Sequence, residues 1–238
     1  MKLKVAIITD VHGNLPALQG ALKSIQQEEY DLLLHLGDAI AIGPFPSECL
    51  DILLNVPNAQ FIMGNHDDWL VNGLPQPQPD WMSDGEVAHQ QWTHGQIGEG
   101  ARTAVAHWPY LIQHNFGDVS VAFLHYALVA NGRDFAPIIN QPTAADFDPI
   151  FPATDLVFYG HTHRKSDIHG RARYINPGSL GCQPEAVAPY ATVVLANGRY
   201  TIEHHTIPYD DESLAKAFRE REVPEREFLC QAFFGGRF

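Results

Sequence analysis

Short apolar segments that each end in a polar loop recur along the first two thirds of the chain. The first three lie at 3–8, 32–36 and 61–63, and amphipathic segments separate them. Short runs rich in Val, Ile and Leu are typical of strands buried on both faces, because a half-exposed strand would alternate apolar and polar residues. The alternation of strand, loop and helix predicts an α/β fold with parallel strands, whose polar loops follow the carboxyl ends of the strands.

Helix signals support the same organisation. Leucines 15, 18 and 22 and Ile25 recur at helical spacing, Asn14 precedes them as a capping residue, and Pro16 falls in the first turn. Asn14 is therefore interpreted as a cap rather than a catalytic group. A second helix is predicted at about 47–54, with Ser47 as its cap.

The middle of the chain has a different character. A Pro- and Gly-rich loop at 72–85 is followed by one or two modest helices, so residues 69–117 are predicted to leave the sheet and to cover a site. Strands are then predicted at 119–124 and 156–159. A β-hairpin is predicted from strands at 190–195 and 200–207, joined by a turn at Asn197-Gly198. A helix is predicted to begin at 210–213. The aromatic tail at 228–238 is expected to dock on the domain rather than to form an oligomer contact. The whole chain, 1–238, is expected to form one domain.

Charge and cysteine content narrow the functional classes. Fifteen Lys and Arg residues against 28 Asp and Glu residues give a formal net charge of −13, which argues against coating nucleic acid or an anionic membrane. No apolar run approaches the roughly 20 residues that span a bilayer. The three cysteines are widely separated and form no CxxC pair, so neither a disulfide framework nor a thiolate zinc site is expected. A cytoplasmic location is predicted, and the oligomeric state stays open.

Five predicted strand ends carry side chains that commonly bind metals. These side chains are carboxylates, one carboxamide and imidazoles, and none is a thiolate. They are Asp10, His12, Asp38, Asn65 (followed by His66), His125, His161 and His163. Loops at the carboxyl ends of parallel strands converge on one crevice, so these groups are expected to meet. Nitrogen and oxygen donor sets of this kind suit divalent Mn, Fe, Zn, Ni or Co.

The spacing of these residues suggests how they divide between ions. Asp10 and His12, and likewise His161 and His163, are two residues apart, so in an extended segment each pair would point the same way and bind one ion. Seven ligands are too many for one tetrahedral site and fit two ions. Two divalent ions with two carboxylates would keep a local charge of about +2, which attracts a phosphate despite the acidic chain.

The order of the motifs resembles that of the calcineurin-like metallophosphoesterase family. All five family blocks occur in sequence across residues 10–163, and Asn-Pro-Gly-Ser at 176–179 is similar to the small bacterial and archaeal members. The blocks are Asp10-Val11-His12, Gly37-Asp38, Gly64-Asn65-His66-Asp67, His125, and Gly160-His161-Thr162-His163. The resemblance implies a four-layer αββα sandwich of two mixed β-sheets flanked by helices.

The resemblance also implies roles for these residues. One metal would take Asp10, His12 and His163; the second would take Asn65, His125 and His161; and Asp38 would bridge them. His66 would bind phosphate and protonate the leaving oxygen as the general acid, a task that suits an imidazole. The expected cofactors are two divalent ions, Mn in the first place and Fe, Zn, Ni or Co as alternatives, with a metal-bridging hydroxide as the nucleophile.

Several readings of the activity stay open. The intact Asn65-His66 pair favours a phosphodiesterase acting on a small phosphorylated substrate, with phosphomonoesterase or nucleotide phosphatase as the alternative. A catalytically silent scaffold for a protein partner is less favoured, because no ligand is lost, and the acidic charge counts against a nuclease. The arginine that follows the Gly-Asp block in related protein phosphatases is missing after Asp38, and Tyr126 stands where small relatives often have glycine.

Residues outside the blocks receive structural interpretations. His35 is expected in the core, His204 and His205 in solvent, and the tryptophans are assigned to packing of residues 69–117 rather than to a nucleobase site. The other histidines of that interval, at positions 89, 94, 107 and 114, are not expected to touch substrate. Arg164 is expected either to contact a phosphate or to pair with a surface acid.

Overall fold

The computed structural model describes residues 2–238, which form two mixed five-stranded sheets with helices outside them. The strands are β1 (Lys2–Ile8), β2 (Leu32–His35), β3 (Ala59–Phe61), β4 (Leu111–Phe116), β5 (Val119–Leu124), β6 (Leu156–Phe158), β7 (Ser166–His169), β8 (Arg173–Asn176), β9 (Val187–Ala196) and β10 (Arg199–Pro208). The helices are α1 (Leu15–Gln27), α2 (Pro46–Leu54), α3 (Asn65–Asn72), α4 (Asp84–Gly95), α5 (Glu99–Val105), α6 (Ala144–Phe147), α7 (Glu212–Glu220) and α8 (Arg226–Phe234).

Each sheet has parallel strands at its centre and antiparallel strands at its edges. The first sheet runs β10-β9-β1-β2-β3, with β1, β2 and β3 parallel, and the second runs β4-β5-β6-β8-β7, with β5, β6 and β8 parallel. The implied αββα architecture is confirmed. Among residues 2–238, the outer face of the second sheet is covered by the short helix α6 and by irregular loops.

The main core lies between the two sheets. Side chains of a strand alternate between its faces, so Val5 and Ile7 of β1 point into this core with Val121 and Phe123 of β5. Residues of the opposite parity, such as Ala6 and Ile8, pack against the helices on the outside of the first sheet. The central strands are therefore buried on both faces, as the apolar runs predict, and burial on both sides fixes the position of the loops at their ends.

Helix α1 begins as the sequence predicts, and α2 does not. Asn14 caps α1, because its Oδ1 accepts a hydrogen bond from the N–H of Ala17 at 3.1 Å. The predicted cap of α2 is wrong: the helix begins at Pro46 after Phe45, and Ser47 lies within its first turn. A proline that already has a helical φ opens this helix without a side-chain cap.

The interval predicted to leave the sheet is shorter than predicted. Strand β4 at 111–116 pairs antiparallel with β5, so the excursion at 69–117 ends before this edge strand. The error arises because β4 lies at a sheet edge, where its polar residues stay exposed and no apolar run marks the strand. Strand β3 also lies two residues earlier than predicted, at 59–61, and the edge strand β7 has no sequence prediction.

The last third agrees with the hairpin prediction. Strands β9 and β10 pair over ten residues each around the turn at Asn197-Gly198, and α7 follows. The aromatic tail docks on the molecule: Leu229, Cys230 and Phe234 of α8 are buried in a cluster with Leu214 and Phe218 of α7. Docking of the tail is therefore confirmed. Within residues 2–238, no helix is both long and apolar enough to cross a bilayer.

Candidate metal centre

The polar residues at the five strand ends meet where the two sheets face each other. Asp10 and His12 follow β1, Asp38 follows β2, and Asn65 opens α3 after β3, so these residues come from the first sheet. The other three come from the second sheet: His125 follows β5, and His161 and His163 follow β6. The expected convergence thus occurs between two sheets, not along the edge of one.

Neither the D-x-H pair nor the H-x-H pair adopts the extended conformation that its spacing suggested. Asp10 and His12 have φ of 52° and 47°, and His161 and His163 have φ of 65° and 59°, all in the left-handed region. Non-glycine residues rarely adopt this conformation, and such residues concentrate at functional sites. The expectation that both side chains of the second pair point the same way is wrong, because His161 and His163 face different groups of donors.

The first donor group contains Asp10, His12 and His163. The Nε2 atoms of His12 and His163 lie 2.9 Å apart, and Oδ1 of Asp10 is 3.8 Å from Nε2 of His12 and 3.6 Å from Nε2 of His163. The other carboxylate oxygen of Asp10 accepts a hydrogen bond from the hydroxyl of Thr9 at 2.8 Å. Three donor atoms of different residues thus lie within 3.8 Å of one another.

The second donor group contains Asn65, His125 and His161. Nε2 of His125 lies 3.2 Å from Oδ1 of Asn65 and 3.1 Å from Nδ1 of His161. Asp38 joins the two groups, because its Oδ2 is 3.1 Å from Nε2 of His125 and 3.8 Å from Nε2 of His12. This arrangement places one carboxylate between two donor groups.

Backbone carbonyls determine which nitrogen of two histidines faces the centre. The Nδ1–H of His12 donates to the carbonyl oxygen of Ile40 at 3.0 Å, and the Nδ1–H of His125 donates to that of Leu36 at 2.8 Å. A carbonyl can only accept, so in each neutral ring the lone pair is on Nε2 and points at the other donors. Metal-binding histidines are commonly oriented in this way.

Burial and mutual charge shift the pKa values of these groups strongly. Burial raises the pKa of Asp10 to about 7, whereas His125, His66 and His12 outweigh burial at Asp38 and hold the pKa of its carboxyl well below the usual range. Burial lowers the pKa of His161 to about 3 and that of His163 to about 4. Burial acts against a charged His125, but the Asp38 carboxylate outweighs it and raises the pKa of His125 to about 9. Imidazoles and carboxylates crowded together in this way are the donor set that a divalent cation satisfies.

Asp67 connects two of the loops, a role that its place in a family block does not predict. Its carboxylate is buried and accepts from the backbone N–H of Asp38 at 2.7 Å, of Ala39 at 3.1 Å and of Gly64 at 3.1 Å. This side chain therefore ties the loop after β2 to the start of α3. Nothing in the spacing indicates this contact, because it joins loops that are far apart in sequence.

His66 lies at the edge of the centre. Its backbone N–H donates to Oδ1 of Asp38 at 3.0 Å, and its ring centroid is 5.3 Å from that of His12. The buried side chain of Gln90, on α4, donates from Nε2 to Nδ1 of His66 at 2.7 Å. A hydrogen bond to Nδ1 places the proton of a neutral ring on Nε2. Gln90 is thus a positioning residue that the sequence interpretation missed.

A cavity of about 740 Å³ opens over the donors and is partly lined by the C-terminal tail. Phe233 of α8 contributes to its wall, with a ring centroid 5.7 Å from that of His163. The buried thiol of Cys182 also lies beside His12 and His163, close enough for a shared ion. Arg164 and Lys165 line the same cavity, so they are available to an anionic ligand.

The remaining histidines have largely structural positions. His35 is buried as predicted, and its Nδ1 accepts from the N–H of Gly37 at 3.3 Å. His89 is buried too, and its Nε2 accepts from the N–H of Ile42 at 2.8 Å. The prediction that His204 and His205 are solvated is wrong: both are half-buried, and the ring of His205 stacks on Tyr190 at 4.4 Å because the hairpin lies against α1.

The four tryptophans divide into two kinds. Trp108 stacks on Phe61 with ring centroids 4.9 Å apart, and Trp92 packs against the tail cluster, as predicted. Trp69 and Trp81 instead line a second cavity beside His66. Tyr126 is buried, with a ring centroid 5.0 Å from that of His161, and its hydroxyl accepts from the N–H of Ile139 at 2.9 Å.

Comparison with known proteins agrees with this geometry. Residues 3–198 match the model of the calcineurin-like phosphoesterase superfamily domain, and the chain belongs to this family. Family membership makes it a metal-binding hydrolase of phosphoric esters. Over its full length the chain is 26% identical to the uncharacterized protein MJ0912 of Methanocaldococcus jannaschii, which it also covers completely.

Two solved structures are similar over nearly the whole chain. The hypothetical protein PH1004 from Pyrococcus horikoshii is 20% identical, with a TM-score of 0.79 and 99% of each chain covered. A metallophosphoesterase from Sphaerobacter thermophilus is 23% identical, with a TM-score of 0.69, covering 96% of this chain and 97% of its own. At these identities the comparison shows the shared fold.

Proposed function

We propose that the protein is a two-metal phosphodiesterase acting on a small substrate. The observation that carries the proposal is the position of the Asp38 carboxylate, 3.1 Å from His125 and 3.8 Å from His12, between two groups of donor atoms. A single oxygen that reaches both groups is what a bridging ligand requires, and two ions about 3.5–4 Å apart are typical of phosphoester hydrolases.

The chain would supply three ligands of its own and one shared carboxylate to each ion. Asp10, His12 and His163 would hold one, and Asn65, His125 and His161 the other, with Asp38 shared. When bound, two divalent ions would activate water at neutral pH and offset the charge of the phosphate. Mn²⁺ is the first candidate, because carboxylate, carboxamide and imidazole ligands suit it, and Fe, Zn, Ni or Co are alternatives.

His66 would be the general acid. It lies beside the bridging carboxylate, and the amide of Gln90 lies 2.7 Å from its Nδ1 and orients the ring. In the imidazolium form, with the Gln90 amide turned so that its oxygen accepts from Nδ1–H, the ring would donate the Nε2 proton to the leaving oxygen. Proton donation matters most for poor leaving groups such as alkoxides, so an ordered His66 favours diester hydrolysis over the cleavage of activated monoesters. Arg164 and Lys165 would attract the anionic substrate from the cavity wall.

The size and charge of the site favour small substrates. The cavity over the donors is about 740 Å³, which is in the range of small-molecule sites. The net charge of −13 would repel a long polyanion outside the local field of the metals, so nucleic acid is not the proposed substrate.

A contrast between two variants tests the proposal. His66→Ala should keep about two Mn²⁺ per chain and lose about 10²–10⁴ in kcat on an alkyl ester, because only proton transfer is removed. Asp38→Ala should lose bound metal itself, because the shared carboxylate is gone. Metal content by mass spectrometry and turnover of diesters with leaving groups of different pKa would be measured together.

The outcome separates the alternatives. Full activity of His66→Ala toward poor leaving groups would overturn the general-acid role. Metal uptake without turnover of any ester would favour a silent scaffold. A panel of aryl diesters, cyclic nucleotides, dinucleotides, nucleotides and phosphopeptides would distinguish a diesterase from a monoesterase.

A further inference from the structure

A second cavity adjoins the metal centre and differs from the first in chemistry. Its volume is about 850 Å³, and we call it the aromatic chamber. The two cavities share four wall residues, so a ligand bound at the donors can extend directly from one into the other. The shared residues are Asn65, His66, Ile138 and His161.

One part of the chamber wall consists of two tryptophans. Their rings stack, with centroids 6.1 Å apart and planes 28° apart, and Trp69 meets the His66 ring edge-on at 4.8 Å. Trp81 is 64% exposed. Because burying an aromatic face is favourable, an indole face left open beside a reactive site is suited to stacking with a ligand ring.

Another part of the wall comes from the segment after β5. Phe135, Ala136 and Pro137 present apolar surface, and the Phe135 ring lies edge-on to His125 at 5.6 Å. The Ile139 N–H that donates to the Tyr126 hydroxyl, beside His161, ties this segment to the metal centre. The chamber is thus anchored to the same residues that would hold the second ion.

Charge restricts what the chamber can accept. Among the described residues, three carboxylates line it, from Asp68, Glu86 and Asp134, and one guanidinium, from Arg133. A second phosphate would be repelled there, whereas the N–H groups of an uncharged ring could donate to a carboxylate. The favoured ligand group is therefore planar, aromatic and uncharged, with N–H donors on its edge.

We propose that the aromatic chamber binds a nucleobase carried by one ester group of the substrate, so that the substrates of this site are nucleotide diesters. This inference rests on the proposed function, since it requires the phosphate to be bound at the metal centre. The base would stack on Trp81 while the sugar spans the His66 and Asn65 boundary.

Two ligands that differ only in the base provide the test. Calorimetry on the Mn-loaded protein should give a dissociation constant for AMP about tenfold or more below that for ribose 5-phosphate, in line with the contribution of one base–aromatic stack. In Trp81→Ala the two constants should become equal, and Trp81→Phe should restore part of the preference. Phe228→Ala is the matched control, because Phe228 is 63% exposed and lines neither cavity.

Equal binding of the two ligands to the wild-type protein, or an AMP preference that survives Trp81→Ala, would overturn the inference, as would absent AMP binding. Failure of this inference can be distinguished from failure of the proposed function. Preferential AMP binding without turnover of any ester would support the chamber and refute the enzyme, whereas diester turnover with equal binding would do the reverse.

Discussion

At the residue scale, the position of Asp38 depends on two residues that have no side chain. A Cβ atom at Gly64 would collide with the carboxylate and the backbone nitrogen of Asp38, and Gly37 has a φ of +96°. Loops after β2 and β3 can therefore approach each other only with glycine at these positions. The Gly-Asp and Gly-Asn blocks are explained by this contact.

Replacing Gly64 by Ala should displace the shared carboxylate. The added methyl group cannot be accommodated by a flexible side chain, since backbone also meets it, so we expect metal content to fall from about two ions to fewer than one per chain. Stability of the metal-free protein should fall by about 1–3 kcal/mol. Metal analysis and urea denaturation would measure both effects.

Gly95→Ala is the matched control, because nothing lies within 4 Å of a Cβ at that position. It should keep full metal content. Normal metal content in Gly64→Ala would show that Asp38 does not depend on this close approach.

The identities of the proposed ligands could be predicted from the sequence, but their conformations could not. Oxygen and imidazole donors after apolar runs give a strong pattern, and these residues do meet. The left-handed φ of His161 and His163 carries no sequence signal, because non-glycine residues rarely adopt it. This conformation sends two neighbouring histidines to different donor groups.

At the element scale, helix α4 supports the centre from outside the sheets. Its buried residues His89 and Gln90 reach two different places: His89 accepts from the N–H of Ile42 in the loop after β2, and Gln90 donates to His66. Sequence periodicity predicts helices from apolar residues. It gave no reason to expect that polar side chains of this helix point inward, nor that Phe233 of the docked tail would line the metal cavity.

The position of His89 predicts a pH dependence of stability. Burial lowers the pKa of His89 to about 4, against about 6.5 in an unfolded chain. The unfolded state binds a proton first as pH falls, so the contribution of neutral His89 is complete above about pH 6.5 and declines between pH 6.5 and 4. The expected loss is about 1.4 kcal/mol per pH unit, or about 2 kcal/mol at pH 5.

The measurement is urea unfolding of the metal-free protein at several pH values between 7.5 and 4.5. Other buried histidines also contribute, so the comparison with His89→Gln isolates this one. Gln can still accept from Ile42 but does not titrate, and its unfolding free energy should fall less steeply. Parallel curves for the two proteins would contradict the prediction.

At the scale of the whole molecule, the centre joins the two sheets. Asp10, His12, Asp38 and Asn65 come from loops of the first sheet, and three histidines come from loops of the second. The apolar core between the sheets holds them face to face, and the polar donors lie at its end. The sequence predicts the strand ends, but the division of the strands between two sheets follows from long-range pairing that local patterns do not contain.

Metal binding should therefore stabilise the fold as a whole. Ions that bind residues of both sheets bind the native state only, so at a free Mn²⁺ concentration of 100 times the dissociation constant we expect a gain of about 2.7 kcal/mol per site. For a chain of this length, each occupied site should raise Tm by about 5–10 °C, and EDTA should reverse the rise. Asp38→Ala should lose most of this rise.

Asp167→Asn, which removes a carboxylate paired with Arg173 away from the centre, should keep all of it. A Tm in wild type that does not respond to Mn²⁺ would mean that ions do not bridge the sheets, because an ion bound across them cannot leave the unfolding equilibrium unchanged.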